Sequence, residues 1–197
     1  MTEKGALLAQ QDEAVLDVCR KYCCDLEHAR HVADLADVLF DAFLPLHGLF
    51  GEERAVLCHA ALMHDIGYFV DRKGHHRHGA YLVRSDERLQ GYPADMRDLC
   101  ARVVRNHRRR ARGGPKRLGH AGREALRWLS ALLRVADALD YDHEQRALVS
   151  GVRGRGRGFE ILVAGLDPLR LGERLQTKAG LLAQAAGGPI HFERVEL

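Results

Sequence analysis

At 197 residues and 22.0 kDa, with 46% hydrophobic residues and five prolines, the chain has room for one well-buried core and is too short for two full-sized domains. Its 30 basic residues are nearly matched by 27 acidic ones, so a formal charge of +3 gives no global argument for a nucleic-acid partner. No apolar run approaches the roughly 20 residues that cross a bilayer, and no basic-then-apolar leader opens the chain, which excludes a membrane partner and leaves a soluble, cytoplasmic protein as the expectation. The five cysteines, an odd number with no Cys-x-x-Cys pair, read as reduced thiols. Twelve histidines are many for this length, and because histidine is the commonest metal ligand, their clustering marks candidate sites.

Residues 6 to 24 place Leu7, Leu8, Val15, Leu16, Val18, Cys19 and Tyr22 at helical intervals, which suits one or two amphipathic pieces with a packing role. From Leu26 to Phe43 the stripe Val32, Leu35, Ala36, Leu39, Phe40 and Phe43 predicts a helix that Pro45 and Gly48 end. His28 lies four before Val32 and therefore shares the inward face, whereas His31 is turned about 100° to its margin. Arg54 to His64 is apolar nearly all round, as a central helix would be, with Gly67 providing a tight exit. At its end stand His64 and Asp65. A buried Asp65 needs a cation or several donors to stay ionised, and His64 needs a partner for each ring nitrogen, so a metal ion meets both demands.

The segment from Asp71 to Leu82 reads as a polar loop entering a helix near His75. His75, His76 and His78 cannot all reach one ion from one side, so at most one or two of them are ligands, with His75 first, and the others hold the loop by hydrogen bonds or face a phosphate. Gly91-Tyr92-Pro93 is a turn, and Ala94 to Arg110 forms a helix whose inward stripe of Met96, Leu99, Cys100, Val103 and Val104 ends at His107. The run from Arg108 to Arg117 is either a solvated loop or a basic rim that draws an anionic substrate. It lacks the interleaved aromatics that stack on bases, so nucleic acid is not favoured. In the helix Glu124 to Leu139, Asp137 sits among Val135, Ala136, Ala138 and Leu139, where an unpartnered carboxylate is costly to bury, which favours a metal role. Asp140 and Asp142 are expected at the surface. Beyond residue 146 the pattern becomes strand, strand, helix, strand, with Arg153, Arg155 and Arg157 as a basic stripe on a hairpin. The expected organisation is a helical domain over 1–146 and a small α/β appendage over 147–197.

Taken together, His28, the pair His64-Asp65 followed by Ile66-Gly67, the His75-to-Leu82 segment, Asn106-His107-Arg108 and Leu133-Arg134-Val135-Ala136-Asp137 resemble the HD superfamily of metal-dependent phosphohydrolases. The closer likeness, through His75 to Leu82, Gly91-Tyr92-Pro93 and Leu132 to Asp140, is to the C-terminal HD-like domain of exopolyphosphatase/guanosine pentaphosphatase proteins. The resemblance implies a mainly α fold, an HD-domain helical bundle with the small C-terminal α/β appendage. It also implies that His28, His64, Asp65 and Asp137 hold one metal, with His75 and His107 completing a second position. Exopolyphosphatases of that family carry an N-terminal actin-like catalytic domain, which this sequence lacks, while its His-Asp pair is intact. The expectation is therefore a domain with hydrolytic activity of its own.

On that reading Asp65 bridges one or two divalent ions of Mn, Fe, Co, Ni or Zn, since mixed imidazole-carboxylate ligation suits these better than Mg. Asp65 and His64 belong to the catalytic centre, and Lys73, Arg77 and Arg108 hold the non-reacting phosphates of a nucleotide or polyphosphate substrate. The alternative is a non-catalytic module with a structural metal, gripping polyphosphate or RNA through its arginine stripes. A homodimer is compatible with either.

Overall fold

A computed structural model describes residues 3–108, 119–166 and 168–196. Residues 109–117 of the basic run therefore lie outside the described residues, whereas Arg108 lies within them. The amphipathic N-terminal segment forms α1 (Glu3–Lys21), which buries Val15, Val18 and Cys19 completely. Helix α2 (Leu26–His47) starts at Asp25, whose carboxylate accepts the His28 amide at 3.2 Å and so satisfies one of the helix's free donors. Its buried stripe is the one the periodicity predicts, with His28 on it. The helix does not stop at Pro45. A proline in the last turn forfeits one backbone bond, and α2 runs on to Gly48, which adopts φ 59° and donates its amide to the Leu44 carbonyl.

Helix α3 (Gly51–Leu62) ends two residues earlier than its apolar run suggests. Met63 closes the last turn onto the His59 carbonyl, and His64 and Asp65 stand in the turn that follows, before a 3-10 turn at Ile66–Phe69. Neighbours on a helix diverge by about 100°, and a turn frees both side chains to face one cavity. Gly67 serves packing rather than a tight exit. A β-carbon there would overlap the carbonyl oxygen of His75 and the amide of Gly79, so α4 (His75–Ser85) rests backbone to backbone on the turn.

Helix α5 (Ala94–Asn106) follows, and α6 (His120–Leu139) is the axis of the molecule, buried on nearly every side from Ala125 to Leu139. The chain then forms β1 (Leu148–Arg155), β2 (Gly158–Ala164), α7 (Pro168–Ala186), which is kinked at Gly172, and β3 (Ile190–Arg194). The strands lie in the order β1-β2-β3, antiparallel then parallel, with α7 as the crossover between the parallel pair. Helix α7 packs along α6, and Ile161, Val163, Leu175 and Leu182 join the same apolar core as Leu39 and Leu129. The fold is mainly α with a small α/β appendage. The hairpin's basic stripe is largely neutralised: Arg153 pairs with Glu160 and Glu193, and Arg155 with Glu160. Among the described residues no helix is long and apolar enough to cross a membrane.

Candidate metal centre

The first turn of α2, the start of α4 and the carboxyl ends of α3, α5 and α6 meet at Asp65. His28, His64, His75 and His107 are each at most 2% exposed, and each commits its Nδ1 to the protein. His64 donates to the Ala61 carbonyl at 2.7 Å, His107 to the Val104 carbonyl at 2.7 Å, and His75 to the Arg72 carbonyl at 3.2 Å. Carbonyl oxygens only accept, so in these three rings Nδ1 carries a proton and Nε2 is the nitrogen turned toward the centre. His28 Nδ1 donates to Asp140 Oδ2 at 2.8 Å, which sets the same tautomer.

The four Nε2 atoms point at one another and at Asp65. His28 and His64 approach to 3.3 Å through Nε2, and His75 and His107 to 3.1 Å. Asp65 stands between the pairs, with Oδ2 3.4 Å from His64 Nε2, and Oδ1 3.3 Å from His75 Nε2 and 3.7 Å from His107 Nε2. Two groups result, His28–His64–Asp65 and Asp65–His75–His107, in each of which the ligand atoms lie within 4.8 Å of one another. Asp137 brings Oδ1 to 3.7 Å from His64 Nε2.

Lone pairs held this close repel unless a proton or a cation lies between them. Burial, followed by the neighbouring His64, pushes His107 down to about 3 and lowers His28 as well, while burial lowers His75 against the pull of Asp65. Protonating the His75–His107 pair is therefore unfavourable at neutral pH. At His64 burial is outweighed by Asp65 and Asp137, which raise it to about 10. Burial likewise opposes ionisation of Asp65, yet His64 holds its carboxyl well below the usual carboxylate range. An ionised carboxylate ringed by imidazole lone pairs, each ring braced from behind, is a donor set that fits a divalent transition metal.

All six residues expected to bind metal thus converge on one place. Of the three clustered histidines, His75 alone is drawn to Asp65; His76 is half-buried and pushed down to about 4 by burial and then by His75. A cavity of about 110 Å³ opens beside Asp65, His75, His107 and Asp137, and its cations are Arg108, Arg174 and Lys178. Arg108 is the one of these that the sequence nominates. Lys73 and Arg77 are exposed and do not line the cavity, Arg77 lying back over Gly74.

Several residues at the site are not foreseen from the sequence. Asp140, expected at the surface, is 1% exposed, because the His28 Nδ1 proton and the Gln145 amide hold it inside. A signal existed: it lies three residues after Asp137, on the same helix face. Lys178 reaches from α7 to Asp137 Oδ2 at 2.6 Å and to the His107 carbonyl at 3.3 Å. Tyr68 stacks on His75 with centroids 4.1 Å apart, and His143 on His28 at 3.7 Å. Arg174 covers the ring of Tyr141 at 3.4 Å. No motif announces these five contacts, since each joins different elements of the fold.

Comparison with known proteins gives the chain's own relationships. Residues 11–160 match the family profile described as Ppx/GppA phosphatase, domain III. The chain is 30% identical over 131 residues to the guanosine-5'-triphosphate,3'-diphosphate pyrophosphatase of Aeromonas hydrophila, covering 64% of this chain and 26% of that protein. It is 31% identical over 128 residues to the protein of the same name from Pseudoalteromonas atlantica, covering 63% and 25%. The chain thus spans about a quarter of the length of the curated relatives it matches.

Proposed function

Because the chain belongs to the Ppx/GppA phosphatase domain III family, we propose that it is an HD-type, metal-dependent phosphohydrolase acting on a phosphoester or phosphoanhydride of a nucleotide or polyphosphate. The observation that carries this reading is the ring of four Nε2 atoms around Asp65, each oriented by a bond on the far side of its imidazole. His28, His64 and Asp137 would hold one ion, His75 and His107 a second, and Asp65 both. Ions of the Mn, Fe, Co, Ni or Zn class supply Lewis acidity there, making water nucleophilic near neutral pH and offsetting charge on the phosphoryl oxygens.

The chain's own residues do the rest. Asp140 keeps His28 basic and oriented, as a carboxylate behind a ligating imidazole does. Lys178 holds one oxygen of Asp137, leaving the other for the centre. Arg108 and Arg174 line the open side of the cavity, where they can bind the phosphates that do not react. Residues 147–197 supply Arg174 and Lys178, so on this reading the appendage belongs to the working site.

The test is elemental analysis of protein purified without a histidine tag, alongside manganese-supplemented assays on nucleotides and tripolyphosphate. One or two ions per chain and turnover that falls by roughly 10³-fold in Asp65→Ala, with the fold intact by circular dichroism, are expected. A metal-free protein without turnover, or turnover unchanged in Asp65→Ala, would overturn the proposal.

A further inference from the structure

A second opening adjoins the centre. A groove of about 570 Å³ shares Asp65, Tyr68 and His143 with the cavity and continues over Tyr22, Phe69 and Arg72. Its character is different. Among the described residues the cavity gathers Arg108, Arg174 and Lys178, whereas the groove is lined by one arginine, Arg72, and by Asp25. Its walls are aromatic: Tyr68 and Phe69 remain 45% and 60% exposed, and Phe69 meets Tyr22 edge to face at 5.2 Å. Tyr22 is pinned by its hydroxyl, which donates to Asp86 Oδ2 at 2.7 Å, and Tyr68 is braced by its stack on His75. These rings are therefore a preformed surface and lose little freedom when something flat lies on them.

The geometry points to this groove as the nucleoside subsite of the substrate, so that the natural substrate is a nucleotide rather than a linear polyphosphate. A polyphosphate carries charge along its whole length and requires cations throughout, which the described residues of the groove do not offer. A nucleotide is charged at one end and flat and uncharged at the other, matching cavity and groove in turn, with the sugar spanning Tyr68 and His143. Bases of any identity stack on exposed aromatic faces, which is the contact provided here. The inference rests on the hydrolase proposal only for where the phosphates sit.

Calorimetric titration with two non-hydrolysable probes, α,β-methylene adenosine diphosphate and the methyl monoester of methylenediphosphonate, separates the two. Both carry the same charged end, manganese is present throughout, and the probes differ by the nucleoside alone. The full chain is expected to bind the nucleoside-bearing probe roughly tenfold more tightly. Phe69→Ala should lose most of that preference, and Tyr81→Ala, which alters a ring 68% exposed outside the groove, should keep it. Equal affinity for the two probes, or a preference untouched in Phe69→Ala, would overturn the nucleoside subsite. A retained preference without turnover of any phosphoester would sink the hydrolase and leave the subsite standing. Turnover of tripolyphosphate with equal probe affinities would do the reverse.

Discussion

Two places in this molecule pair buried histidine with acid, and they are built on opposite plans. His59 lies on α3 and is 2% exposed, with Nδ1 2.6 Å from the Tyr92 hydroxyl and Nε2 2.7 Å from Asp12 Oδ1. Both ring nitrogens are satisfied by protein groups, and burial lowers its basicity against the pull of Asp12. The cluster at Asp65 also buries its imidazoles, yet each has one nitrogen bonded outward and the other turned toward the Nε2 of a neighbouring imidazole. Burial of a histidine is thus no sign of function. What separates the two is whether the second nitrogen finds its partner in the protein.

That contrast can be broken by substitution. Asp140→Asn preserves shape but removes the charge behind His28, and metal affinity should fall about 10–100-fold, as read by competition with a chromophoric chelator. Unchanged affinity would mean that His28 does not face an ion. His59→Phe should leave the metal content alone. It strands the Tyr92 hydroxyl in the core, costing about 1–3 kcal/mol of stability in urea denaturation. A loss of metal from this variant would erase the distinction between the clusters.

The smallest effect concerns Asp86, a buried carboxylate satisfied by the protein's own donors. Burial raises its pKa, but Lys21, Tyr22 and the Arg88 amide together outweigh burial and bring it down to about 2. Because the folded value lies below the unfolded one, its contribution is present above about pH 4 and is lost as pH falls through about 2. Lys21 is exposed to solvent, so screening limits the gain to about 1 kcal/mol. Denaturation midpoints of wild type and Asp86→Asn should therefore differ at pH 7 and converge between pH 4 and pH 2. A constant gap over that range would assign the stabilisation to shape alone.

Much of the fold was legible in the residues. Apolar spacing located the helices and the three strands, because burying a stripe is a local matter of 3.6- and 2-residue periods. The boundaries were less legible. Pro45 stopped nothing, since the loss of one bond near a helix end is easily borne, and α3 ended before His64 because the close approach of α4 at Gly67 required a turn there. At the site, His28, His64, Asp65, His107 and Asp137 could be nominated because ionisable groups on apolar faces are conspicuous, whereas His75 stood in a polar loop and the full set was what the family resemblance implied. Asp140 was misplaced because helix exits are usually wet, and its spacing of three from Asp137 does not by itself show that Gln145 and His28 close over it.

By itself, then, the sequence determined which side chains must be buried and which of these would be costly to bury alone, since both follow from local pattern and the chemistry of each residue. The tertiary structure decided the rest: the tautomer of each imidazole, the braces Asp140 and Lys178, and the aromatic groove beside the charged cavity. Those depend on which carbonyl, cation or ring from a distant element arrives within about 3 to 4 Å, and contacts of that range are created only when the helices pack.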